Sequence, residues 1–142
     1  MKTKELIRNG WSKRMKFSFF HPFILSFFIL SSCSHGLMTH EAVQKAAEEY
    51  YAMLIRGDYE GYVDGFADSE ALPEDYKKEM VILMRQFMEE GVMANLRSVT
   101  AIRDSIAEDS TAYAILQLHF NDSTREQIEL PLVLKEGKWR MQ

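Results

Sequence analysis

A single cysteine, three prolines, seven glycines and four histidines are all that 142 residues supply of these types. One cysteine excludes an internal disulfide framework. So little glycine and proline excludes collagen-like and low-complexity chains. No His or Cys pair has the spacing of a metal-ligand set: His35 and His40 are five apart and His119 is distant. No metal is expected, and no cofactor. Uninterrupted apolar runs are also short. The longest region of that kind, 17–30, is about 21 Å of helix against a roughly 30 Å hydrocarbon core, and His21 and Pro22 break it. A permanent membrane-spanning helix is not expected there.

What is present is divided unevenly. Residues 1–32 hold six basic residues (Lys2, Lys4, Arg8, Lys13, Arg14, Lys16) and one acid, Glu5. Residues 33–142 hold 11 basic and 20 acidic residues, so the net charge of −4 joins a segment of +5 to one of −9. Nucleic acid is an unsuitable partner for the acidic piece, which has no basic stripe. Basic residues end at Lys16, and 10 of the 14 positions from Phe17 to Leu30 are Phe, Ile or Leu. A basic n-region before an apolar h-region is the pattern of a secretory signal. Met15 offers an alternative start.

Leu30-Ser31-Ser32-Cys33 follows directly. It resembles the bacterial lipobox, in which the cysteine thiol receives a diacylglycerol and the chain is cut before it. The resemblance implies a lipid on Cys33, membrane anchoring and a periplasmic location. Two or three acyl chains give stable anchoring, since each buried CH₂ contributes about 0.8 kcal/mol. The expected division is a signal peptide over 1–32, a lipidated tether over 33–38 and one α+β domain over 39–142.

Within that domain the period changes once. Val43, Ala46, Ala47, Tyr50, Tyr51 and Leu54 recur at helical steps, predicting a helix over 40–56 capped by Thr39 and stopped at Gly57. Asp58 starts a short second helix carrying Tyr62 and Phe66, and residues 68–72 read as a loop. Pro73 opens a third helix, ending near Asn95, with a stripe of Tyr76, Met80, Leu83, Phe87 and Gly91, widened by Val81, Met84 and Met88. A stripe that wide predicts a well-covered helix. After Asn95 the period becomes two. Strands are predicted over 99–106, 111–120, 125–134 and 138–141, joined by turns at Glu108-Asp109-Ser110, Asn121-Asp122-Ser123 and Glu136-Gly137. Ala112, Ala114, Leu116, Leu118 and Phe120 share one face of the second strand. Pro131 requires an edge or a bulge. The fold class is α+β, with N-terminal helices on a curved four-stranded antiparallel sheet, cone-like in shape.

Three stretches carry a family likeness: Glu41-Ala42-Val43 through Tyr51, Arg56-Gly57-Asp58-Tyr59-Glu60, and Leu134-Lys135-Glu136-Gly137-Lys138-Trp139-Arg140. They resemble small secreted lipoproteins of the nuclear-transport-factor-2-like superfamily, also described as SnoaL-like or cystatin-like. The nearest group is the lumazine-binding-like lipoproteins of Bacteroides-type bacteria. The resemblance implies a cone-type cavity and pairing of two copies through the sheet. It brings no catalytic motif.

Enzymes of that superfamily set a carboxylate or His against a Tyr inside the cone. The candidates here are His119, Tyr113, Tyr51, Tyr62 and Asp64. His119 and Tyr113 share a strand face, as base and oxyanion donor. Parity places that face opposite the apolar one, so His119 is expected outward. Asp64 is expected on the solvated side of the short helix, and the tyrosines in core and rim packing. Glu48-Glu49 and Glu89-Glu90 are expected on solvated helix faces. The expected role is non-enzymatic binding of a small molecule or a protein partner. The alternative is an isomerase or hydratase using His119 or Asp64 with a Tyr.

Overall fold

The computed structural model describes residues 38–142, so the signal segment and Cys33 lie outside the described residues. Three α-helices precede four strands: α1 (His40–Arg56), α2 (Tyr59–Asp64), α3 (Glu74–Glu89), β1 (Leu96–Ile106), β2 (Thr111–Phe120), β3 (Arg125–Lys135) and β4 (Lys138–Met141). A one-turn 3₁₀ helix, Ser69–Ala71, occupies the predicted loop. The strands form one antiparallel meander in chain order. No helix among the described residues is long and apolar enough to cross a membrane.

α1 forms where its caps and spacing predict. The Thr39 side chain accepts the Ala42 N–H at 3.1 Å, satisfying one of the amides the first turn leaves bare. Gly57 ends the helix at φ 80°, donating its N–H to the Leu54 and Met53 carbonyls. That left-handed conformation suits glycine, which has no Cβ to clash. The inner face of the sheet then buries against α1. Val43, Ala47, Ala112, Ala114, Leu116 and Leu132 are completely enclosed. Each of the two leucines contributes about 1.5–3 kcal/mol by leaving water. The space the cone shape would leave between α1 and the sheet is filled by this core, with Trp139 and Met141 closing its β4 side.

β1 is the irregular strand. Its register slips twice, between Leu96 and Ser98 and between Ala101 and Arg103. Each slip inserts an extra residue, a β-bulge that bends the strand and re-aims side chains. Glu48 is not on a solvated face, as the sequence predicted. Its Oε1 accepts the Ala101 N–H at 2.7 Å, so the helix carboxylate satisfies a backbone donor at the second bulge. Three residues on, the Asp104 side chain points inward, 3% exposed. It accepts from His40 Nδ1 and Gln44 Nε2, both at 2.6 Å. The start of α1 is thereby tied to the C-terminal end of β1.

Pro131 stands in β3, an interior strand, opposite Tyr113. Its carbonyl accepts from Gln142 N at 3.1 Å, so its donor-free nitrogen faces the position just past β4. The missing bond thus falls outside the paired ladder, which is how an interior strand tolerates it.

α3 departs most from expectation. Its only fully buried residue is Met88. Val81, Met84 and Met88, predicted to widen the stripe, turn inward together with Lys77, and Met80 is half-buried. Tyr76, Leu83 and Phe87 are exposed instead. Arg85 fastens the helix to α2, its guanidinium 5.9 Å from the Tyr59 ring centroid.

Candidate functional site

Each of the three lead residues lines a different groove. Asp64 is on the wall of a groove of about 480 Å³ between α2 and α3. His119 lines one of about 430 Å³ at the end of the sheet, and Tyr113 one of about 220 Å³ beside Arg103 and Glu129. His119 and Tyr113 do share the outer face of β2, as parity predicts, with Ala112, Ala114, Leu116, Leu118 and Phe120 facing in. Six residues of strand still separate them by about 20 Å. They do not meet at one reacting atom, and the structure does not bring Asp64 to either.

The α2–α3 groove is the largest of these three. Its floor is Val63, Val81 and Ile82, and its rim carries Glu60, Asp64, Glu74, Lys77 and Lys78. α2 is short but firmly held. Its Asp58 cap accepts the Gly61 N–H at 3.0 Å. The carbonyl of Asp64 accepts from Ser69 Oγ at 2.9 Å and from Arg140 Nη1 at 3.0 Å. The Asp64 carboxylate stays on the solvated side, as the sequence predicts, and pairs with Lys77 Nζ at 3.2 Å. Glu74 lies 3.9 Å from the same ammonium. Lys77 therefore sits between two carboxylates, only 20% exposed. The groove joins an apolar floor to a rim with more negative than positive charge, the pattern of a ligand-binding cleft.

Tyr51 and Tyr62 are packing residues. Their rings meet edge-to-face at 6.3 Å, and Tyr62 meets Phe66 in the same way at 5.7 Å. Burial pushes both phenols above their ordinary value, most strongly Tyr62, where Tyr51 adds to the effect. Neither is a phenolate near neutral pH, so neither serves as a base. No group of three or more His, Cys, Asp or Glu among the described residues is placed to hold a metal ion.

The outer sheet face is polar at one end and mixed at the other. Cross-strand register aligns Ser98, His119 and Arg125, then Thr100, Gln117 and Gln127. Arg103, Ile115 and Glu129 follow, then Ser105, Tyr113 and Pro131. Sequence reasoning missed Arg97, Arg125 and Lys77. The arginines join His119 only through register and the first bulge, which no spacing along a single strand reveals. The signal for Lys77 was present: it begins the series continued by Val81, Met84 and Met88.

No family model matches the chain, and no curated protein matches it. Solved structures do. One from Campylobacter jejuni, provisionally named an NTF2-like transpeptidase, matches with a TM-score of 0.54 at 19% identity, over 68% of this chain and 94% of that chain. Another from Catenulispora acidiphila matches with a TM-score of 0.48 at 19% identity, over 71% of this chain and 84% of that chain. The first likeness shows the fold. Helices followed by a four-stranded antiparallel sheet give an α+β fold of the NTF2-like kind. Such a fold serves binding proteins and enzymes alike, and the likeness carries nothing about activity.

Proposed function

We propose that this chain is a lipid-anchored domain on the periplasmic side of a bacterial membrane, and that it binds a small amphipathic molecule in the α2–α3 groove without transforming it. The observation that carries the binding reading is the groove itself. It offers about 480 Å³, an apolar floor and a rim of fixed charges. A ligand that suits it lays an apolar body on Val63, Val81 and Ile82 and turns a cationic or hydrogen-bond-donating group toward Glu60, Asp64 and Glu74. The non-enzymatic reading is supported by the separation of Asp64, His119 and Tyr113. Anchoring is supported by the basic n-region, the apolar h-region and Leu30-Ser31-Ser32-Cys33. The grouping with lumazine-binding-like lipoproteins belongs to the same proposal and rests on the three sequence stretches quoted above.

Two measurements test it. Fractionation of cells expressing Cys33→Ser should find the protein released from the membrane; retention there defeats the anchoring reading. A library of small amphipathic amines, screened by methyl NMR on the purified chain, should shift Ile82 and Val81. Ile82→Glu should abolish those shifts and leave the fold intact. A library that moves neither methyl ends the groove reading.

A protein partner is the second reading, favoured by one observation: Ile82, Leu83 and Phe87 on α3 and Val92 just beyond it are all exposed. A photo-crosslinker at position 83, activated in cells, should give one defined adduct if a partner covers this face. Pairing of copies through the sheet has less support, because the outer rows around Gln117 and His119 are polar.

A further inference from the structure

We propose that the pocket where β1, β2 and the β2–β3 turn meet is an oxyanion site, taking a phosphoryl or sulfate group. It stands apart from the α2–α3 groove and does not depend on that reading. The pocket measures about 430 Å³, and its lining includes Arg97, Arg125, His119, Ser98, Asn121 and Ser123.

Three independent features assemble it. The first is register: Ser98, His119 and Arg125 are direct cross-strand neighbours on three successive strands. The second is the bulge between Leu96 and Ser98. The extra residue there is Arg97, and the bulge sets it beside Ser98 on the pocket wall rather than on the opposite face. The third is the turn. Ser123 adopts φ 68°, and Asp122 accepts both the N–H and the hydroxyl of Thr124, at 2.9 and 2.6 Å. These two bonds hold the Asp122 carboxyl below the usual carboxylate range and keep it occupied with the turn.

Charge adds to this. The described residues include 20 acidic and 11 basic side chains, so a guanidinium on this domain has carboxylates to spare. Arg56, Lys77, Lys78, Lys135 and Arg140 each take one. Lys45, Arg85, Arg97, Arg103, Arg125 and Lys138 make no ion pair among the described residues, and of these six Arg97 and Arg125 line this pocket together, their side chains without a hydrogen-bond partner. Two unpaired guanidiniums with hydroxyl, amide and imidazole groups around them form a donor set. Planar N–H forks match tetrahedral oxyanions in paired bonds, which a chloride cannot use. The turn amides add nothing, because those of Ser123 and Thr124 are already bonded within the turn. Recognition falls to the side chains.

The test uses the full chain purified in detergent, titrated with sodium phosphate, sodium sulfate and sodium chloride at matched ionic strength. Amide and His119 ring signals are followed by NMR. Saturable shifts of Ser98, His119 and Ser123 with phosphate or sulfate, and not with chloride, are expected. Arg97→Gln and Arg125→Gln should each weaken that binding about tenfold, while Arg125→Lys keeps part of it. A second arm asks whether vesicles containing phosphatidic acid hold the Cys33→Ser protein better than phosphatidylcholine vesicles, and whether Arg125→Gln removes the difference. Saturation by the free ions alone assigns a soluble oxyanion, and an arginine-dependent vesicle preference assigns a lipid headgroup. Equal shifts with chloride, or unchanged binding in both glutamine variants, overturn the site. The substituted side chains are exposed, so intact amide spectra elsewhere will confirm that the variants fold.

Discussion

α1 and α3 are nearly the same length, 17 and 16 residues, and both carry an apolar face, yet the fold uses them oppositely. α1 lies along the inner face of the sheet, where Val43 and Ala47 are wholly enclosed. α3 rests on α2 through one narrow seam and leaves Ile82 and Leu83 more than half exposed, at 55% and 58%. Amphipathicity shows that a helix has a face to cover. It does not show how much of that face the rest of the chain can reach. The apolar surplus on α3 is surface that core formation did not consume, and it borders the groove proposed to bind a ligand.

Four substitutions and one titration break or sharpen that contrast. The largest effect is expected in the sheet under α1. Leu116→Ala removes a fully enclosed side chain and should cost about 2–5 kcal/mol in urea unfolding. Next is the contact between α1 and the residue after α2. A Cβ at Gly65 would run into the Tyr50 ring at Cε1, and that ring is pinned by its hydroxyl, which donates to the Trp139 carbonyl at 2.8 Å. Gly65→Ala should cost about 1–3 kcal/mol, and much less once Tyr50→Ala has emptied the space. Glu48→Ala orphans the Ala101 N–H and should cost about 1 kcal/mol, with Glu48→Gln recovering most of it. On α3 the change should almost vanish: Leu83→Ala should stay within about 0.5 kcal/mol. A cost near that of Leu116→Ala would mean that α3 is covered after all.

The smallest effect is electrostatic. Thr111 and Thr124 bond to Asp109 and Asp122 and hold both carboxyls below their ordinary range. A depressed folded-state value favours the ionised form. The contribution is therefore complete above the carboxylate titration of the unfolded chain, and it fades as pH falls toward the folded value. Thr124→Val should move the Asp122 titration upward in carboxyl NMR and leave Asp109 unchanged.

Much of the fold was legible because its signals were local. Thr39 and Gly57 bracket α1, and eight to ten residues of strict alternation mark β2 and β3. On α3 the seam residues Val81, Met84 and Met88 were legible, but the predicted width was not met: Tyr76, Leu83 and Phe87 stay exposed. Glu48 was read as solvated because its partner is a strand N–H 53 residues away. The site was legible only as separate residues. His119 outward and Asp64 at the solvated end of α2 follow from parity and capping. Which groove each one lines depends on register and bulges, and Arg97 owes its position to one inserted residue.

The loop after α2 has a consequence for the company this protein keeps. Met141 donates its N–H to the Gly65 carbonyl at 3.0 Å, and Ala67 donates to the Met141 carbonyl at 2.8 Å, so a short parallel bridge at Phe66 lies along β4. The opposite border of the sheet, β1, is broken by its two bulges. An unprotected border strand is a template on which other chains add themselves, the first step toward fibres. Here one border carries a fragment of its own chain and the other is bent out of register. Copies of this domain at high concentration should therefore stay separate rather than add to one another edge to edge.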